Sequence, residues 1–185
     1  MTETISSKSR RAERRPPPPL DTAALERLAL RYVERFATTR GRLADYLKRK
    51  VRERGWDGAP ADPKGVAERM AALGYIDDRA YAEARATAMT RRGLGARRIA
   101  GAFRQAGIED ADAQAVAPAI AVSAGEAALA FARRRRIGPW AREVADRATA
   151  ERQIAAMLRA GHRFDLARRI VALPPGEPPE WVDLE

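Results

Sequence analysis

The chain contains no cysteine. A disulfide framework, thiol catalysis and cysteine-based zinc sites are therefore excluded, and the composition fits a reducing compartment. Histidine is nearly as scarce. His162 is the only one, and it follows Gly161 where a helix is expected to end, a place that suits a structural or capping residue better than a catalyst. No run approaches the roughly 18 apolar residues of a membrane span, and the first residues lack the apolar stretch of a signal peptide, so a cytoplasmic protein with no membrane association is expected. A GxxxxGK[ST] loop, a GxSxG elbow, an HExxH pair and a GxGxxG turn are all missing. With no cofactor motif and no catalytic set, the sequence reads as a binding protein, not an enzyme. No stretch alternates β-branched and polar residues as a strand does.

What the chain has is positive charge and helical period. Its 185 residues suit one domain or a short array of repeats. Lys+Arg number 35 against 25 Asp+Glu, a formal +10, which points to a polyanion or an acidic protein surface as partner. Residues 1–21 carry Lys8, Arg10, Arg11, Arg14, Arg15 and the run Pro16 to Pro19, and read as a disordered basic tail; 174–185, with four prolines and Trp181 among acids, read as an irregular one.

Between the tails, apolar residues recur on one helical face at a time. Leu25, Leu28, Tyr32 and Phe36 predict a first helix, and Leu43, Leu47 and Val51 a second. Asp62-Pro63 opens a third that stops at Gly74. Asp77-Asp78 precedes a fourth; these two acids read as capping groups, with a metal or acid/base role as the alternative. Asp110 is expected to cap a sixth helix, and Ser123 with Glu126 to form a capping box for a seventh. The stop glycines Gly55, Gly107 and Gly161 lie 52 and 54 residues apart, each preceded four residues earlier by Val51, Phe103 or Met157. That spacing predicts an all-α fold of three tandem three-helix repeats, approximately 22–74, 75–121 and 122–173, in an elongated, curved array. Charge is segregated within them: 22–56 and 83–108 carry +6 and +5, whereas 57–82 and 109–126 carry −2 and −4.

In the second unit the residues become specific. GYIDDRAYAEA from Gly74 and RRGLGARRIAGAFRQAGI from Arg91 closely resemble the signature of the RecX family of bacterial recombinase regulators. Gly74, Ile76, Asp78, Tyr81, Ala82, Gly93, Gly95, Arg98, Ile99, Gly107 and Ile108 carry the match, with Asp77 beside them. TTRGRLADYLKRKVRERGW from Thr38 is similar to the family's first repeat and MLRAGHRFDLARRIV from Met157 to its third. Phe103, Ala106 and the pair Gly161-His162 depart from the pattern.

The resemblance implies a regulator in recombination, repair and the SOS response. It would bind the RecA filament on single-stranded DNA as a monomer and restrain its extension, ATPase and strand exchange, with weak DNA binding of its own. The alternative is a stand-alone helical DNA-binding protein, with the turn at 92–95 leading into a recognition helix. The motif glycines and apolar residues read as scaffold: Gly93 and Gly95 for a tight turn with positive φ, Ile99 and Ile108 for the core, and Tyr81 for packing with its hydroxyl at the surface. Contact candidates are Arg91, Arg92, Arg97 and Arg104 in the second unit and Arg42, Lys48, Arg49 and Arg52 in the first. Arg98 is either a contact or a bridge to an acid of its own chain.

Overall fold

The computed structural model describes residues 18–176, which comprise nine α-helices, one 3₁₀ turn at Gly138–Trp140 and no strand beyond an isolated bridge. The helices are α1 (Thr22–Val33), α2 (Arg40–Arg54), α3 (Pro63–Ala72), α4 (Asp78–Arg91), α5 (Ala96–Ala106), α6 (Asp110–Val122), α7 (Ala124–Arg135), α8 (Arg147–Arg159) and α9 (Phe164–Ala172). Among the described residues no single helix is long and apolar enough to cross a membrane.

The all-α expectation holds. The buried apolar residues form three separate clusters in chain order. Leu25, Leu43, Leu47, Val66 and Met70 hold α1 to α3 together; Ile99, Phe103, Ala106 and Val116 hold α4 to α6; Phe131, Met157 and Ile170 hold α7 to α9. Each cluster buries the apolar stripes of three amphipathic helices, so each triplet supplies its own hydrophobic driving force.

Several local expectations are met. Asp62 and Asp77 cap their helices as expected, by accepting a backbone N–H from the first turn, and Asp21, Thr39 and Asp146, which the sequence reading did not single out, do the same. Others are corrected. α1 ends at Val33, and Phe36, placed by its period on the buried face, is 55 % exposed against the Tyr32 ring. The residue before α6 is Glu109, so Asp110 lies inside the first turn, and Ser123 makes no side-chain cap bond. Residues 18–21, assigned to the tail, are ordered: Leu20 is fully buried, exchanges backbone hydrogen bonds with Gly55 and Asp57, and precedes the cap Asp21. The basic residues at 8–15 lie outside the described residues.

The triplets join where helical backbones touch. A Cβ on Gly41, in the first turn of α2, would lie 2.7 Å from the Cα of Gly107 at the end of α5. A Cβ on Gly95, just before α5, would run into the carbonyl of Gly161 at the end of α8. Gly41 and Gly95 are 54 residues apart, as are Gly107 and Gly161, so one joint is built twice in the same register. Gly95 has an ordinary φ of −83°, which corrects the expectation of positive φ; only Gly93 (φ 68°) has it. Gly95 is small because Gly161 leaves no room for a side chain.

Around each joint the chemistry differs. At the first, the Thr39 hydroxyl donates to the Ala106 carbonyl, and Arg40 reaches across. Its backbone N–H and Nε donate to the two oxygens of Asp78 at 3.0 Å each, while its other nitrogens meet Asp112 at 3.1 Å, Glu68 at 3.4 Å and Glu109 at 3.6 Å. Asp78 is therefore neither a cap nor a metal ligand. It is a buried partner for Arg40, whose pKa it pushes up by hydrogen bonding. At the second joint, the Gly95 and Arg97 N–H groups donate to the Ala160 and Gly161 carbonyls at 2.9 and 3.2 Å. The carbonyls at the end of α8 thus satisfy two of the orphan donors of α5, which has no side-chain cap of its own.

Two outcomes test these joints. Gly95→Ala should destabilise the fold by about 1 to 3 kcal/mol through backbone displacement, while Gly74→Ala, where no neighbour is in reach, should respond only through its positive φ; chemical denaturation reads both. Asp78→Ala leaves Arg40 without its buried partner and should cost about 3 kcal/mol, lowering Tm by roughly 6 to 12 °C.

Candidate functional site

A cleft runs between α4, α5 and the end of α8, floored by Met89, Leu94, Ala102 and Leu158. Six arginines line it: Arg85 from α4, Arg92 from the turn, Arg97, Arg98 and Arg104 from α5, and Arg159 from α8. The arrangement follows from helical period. On α5, Ile99, Phe103 and Ala106 face the core, which turns Arg97, Arg98, Gly101 and Arg104 outward onto one strip. No carboxylate lines the cleft, and among the described residues none of the six has an acidic group within ion-pair distance. Arg97 and Arg98 also stand in the first turn of a helix, the positive end of its dipole. Six guanidinium groups without counter-charge make a site for anions, and their planar forks suit carboxylates and phosphates.

The turn that carries Arg92 is held from beneath. The buried His162 has Nε2 at 3.1 Å from the Gly93 carbonyl and its ring against Phe131 at 5.5 Å between centroids, while Arg134 of α7 donates to the Arg92 carbonyl. Nε2 carries the proton, and the histidine is structural, as its place after Gly161 suggests. A Cβ on Gly93 would lie 2.7 Å from the Phe131 nitrogen, so this glycine serves close contact with α7 as well as positive φ.

The structure divides the sequence candidates. Arg92, Arg97, Arg98 and Arg104 meet in the cleft, and among the described residues Arg98 has no acidic group within ion-pair distance. Arg91 points to the other side of α4, into a hollow shared with Glu83 and Glu126. In the first unit, Arg42 donates to the Tyr81 hydroxyl at 2.6 Å and lies over its ring, tying α2 to α4, so Tyr81 has a polar partner and not a free hydroxyl. Lys48 pairs with Asp45 at 3.2 Å and Arg49 with Glu53 at 3.7 Å, both along one helix. Arg52 is exposed on the same helix. Sequence reading missed Arg85, which lies near the start of the basic segment 83–108, and Arg159, which lies outside it; the signal for Arg159 was its place two residues before Gly161, close to where Arg104 stands before Gly107.

Ile76, Ala82, Ile99 and Ile108 are buried, and Gly74 and Gly107 have φ of 81° and 65° at helix ends. Among the described residues no cluster of three or more His, Asp or Glu is placed to hold a metal ion.

The chain has relatives among known proteins. The chain is 30 % identical over 187 residues to the regulatory protein RecX of Myxococcus xanthus (strain DK1622), an alignment covering 92 % of this chain and 97 % of that protein. It is 29 % identical over 151 residues to the regulatory protein RecX of Agrobacterium fabrum (strain C58 / ATCC 33970), covering 78 % and 80 %. The crystal structure of RecX from Lactobacillus salivarius superposes with a TM-score of 0.61 at 19 % identity, covering 80 % of this chain and 93 % of that one, and so shares the fold. No protein-family model matches the chain.

Burial lowers the pKa of His162 below the ordinary histidine value, against the opposing pull of the Gly93 carbonyl. Unfolding then takes up a proton below about pH 6.5, so the neutral ring stabilises the fold above that pH and the contribution is lost as the pH falls through it. His162→Gln keeps an N–H donor and removes the titration. The drop in Tm between pH 7.5 and pH 5 should be smaller in that variant than in the parent.

Proposed function

The chain belongs to the RecX family of regulatory proteins, and from that premise we propose that it binds the RecA recombinase filament on single-stranded DNA and restrains its extension, ATPase and strand exchange. It acts by binding alone, with no cofactor and no catalytic step, as a cytoplasmic monomer whose repeats are taken as 22–74, 75–121 and 122–173. The observation that carries this reading is the cleft of six arginines without counter-charge. A protein filament on DNA would suit such a cleft, since DNA presents phosphodiesters and an acidic protein face would present carboxylates. Surface ion pairs contribute about 0 to 1 kcal/mol each to a monomer, whereas removing one partner of a desolvated pair at an interface costs about 2 to 5 kcal/mol. The arginines therefore matter for binding far more than for folding.

The alternative, a stand-alone DNA-binding protein, finds support in the turn at 92–95 before a basic helix. Against it stands composition. A recognition helix needs amide side chains to read adenine bidentately, and α5 carries only Gln105.

The test is the single-stranded-DNA-dependent ATPase of RecA with and without this protein. Substoichiometric protein should lower it, because one bound copy stops extension past many subunits. A variant with Arg92, Arg97, Arg98 and Arg104 all replaced by Ala should melt near the parent temperature, bind the filament at least about tenfold more weakly and inhibit poorly, and the parent's binding should weaken with salt. Unchanged ATPase at severalfold excess of the parent would discard the reading.

A further inference from the structure

The two ends of the array are finished differently. At the first unit, Leu20 is fully buried across the end of α2, with Arg54 donating to the Pro18 carbonyl beside it at 2.8 Å. At the third unit an apolar groove lies open between the 3₁₀ turn, α8 and α9, lined by Gly138, Ala141, Val144, Ala150, Ile154 and Val171, with Arg168 and Glu143 at its edge. Val144 is 76 % exposed there. End units of a repeat array have no neighbour to cover their apolar face and need a cap.

We propose that residues 177–185 of this chain, Glu-Pro-Pro-Glu-Trp-Val-Asp-Leu-Glu, dock in this groove with Trp181 as the anchor. These residues lie outside the described ones, and three observations converge on them. The first is where the described chain leads: Leu173 lines the groove, and the Gly176 N–H donates to the Pro139 carbonyl at 3.1 Å, so residue 177 starts at the groove's rim. Nine residues span at most about 30 Å, ample to lie along it. The second is charge. Residues 177–185 carry four carboxylates and no basic group, whereas 127–173 carry eleven arginines and four carboxylates, with Arg168 on the groove wall and Arg142 exposed beside it. The third is shape and cost. An indole buries about 150 to 250 Å² of surface, and Pro178 and Pro179 restrict the unbound segment, which lowers the entropy lost on docking.

The absence of cysteine makes the test clean. In the full-length protein, Trp181 emission is obtained by difference against Trp181→Phe, since Trp56 and Trp140 also emit. It should be blue-shifted and protected from acrylamide, and Val144→Asp, an exposed and therefore tolerated change, should make it severalfold more quenchable. Oxidation of a Val144→Cys, Val182→Cys pair should give an intramolecular disulfide, and a Val122→Cys, Val182→Cys pair, which uses an equally exposed valine on α6, should not. Trp181 emission that is fully quenchable, or insensitive to Val144→Asp, overturns the proposal. So does equal cross-linking of the two pairs, and a disulfide-linked dimer of the first pair assigns the groove to a second copy instead.

Discussion

Everything in this structure depends on two places where helical backbones come into direct contact. Gly41 against Gly107 and Gly95 against Gly161 bring the start of one second helix onto the end of the next. A side chain at either start would push the units apart, and the hydrogen bonds that cross each joint would lengthen with it. Close approach also lets one helix finish another: carbonyls at the end of α8 receive the donors at the start of α5, and the end of α5 receives the Thr39 hydroxyl. The three hydrophobic clusters make the units; the glycine contacts make them one molecule.

The distribution of charge follows from the same arrangement. The acidic third helices seen in the sequence are not simply solvated. Glu68 on α3 and Asp112 on α6 converge on Arg40 at the first joint, together with the buried Asp78. Carboxylates gathered there are absent from the cleft at the second joint, where a neutral histidine and backbone carbonyls do the joining. Among the described residues, the six arginines that α4, α5, α8 and the turn at 92–95 place in the cleft are left without acidic partners.

Much of this was legible in the sequence, and the failures have physical reasons. Helical period and capping residues pointed to an all-α chain, and the spacing of Gly55, Gly107 and Gly161 was legible because all three glycines need positive φ. Period alone could not tell that Phe36 lies beyond the end of α1, since it continues the apolar spacing after the backbone has stopped being helical. Arg40 was one basic residue among 35, and its role depends on carboxylates 28, 38 and 72 residues away. The cleft was half visible: Arg92, Arg97, Arg98 and Arg104 are neighbours in sequence, but Arg85 and Arg159 join them only through packing. Gly95 looked like a turn glycine because sequence shows that a side chain is missing and not which neighbour excludes it.

The series of glycines at the ends of the second helices has a third member. Gly161 receives the start of α5 and Gly107 the start of α2, but Gly55 meets Pro19 and bonds Leu20. The slot that a preceding repeat would fill is occupied by the chain's own incoming strand. At the opposite end, α8 begins with Asp146, whose carboxylate takes the Thr149 N–H and so needs no carbonyls from a further unit. The two ends thus differ: a further unit could be set against Gly55 only by displacing Pro19 and Leu20, whereas α8 starts on its own carboxylate cap.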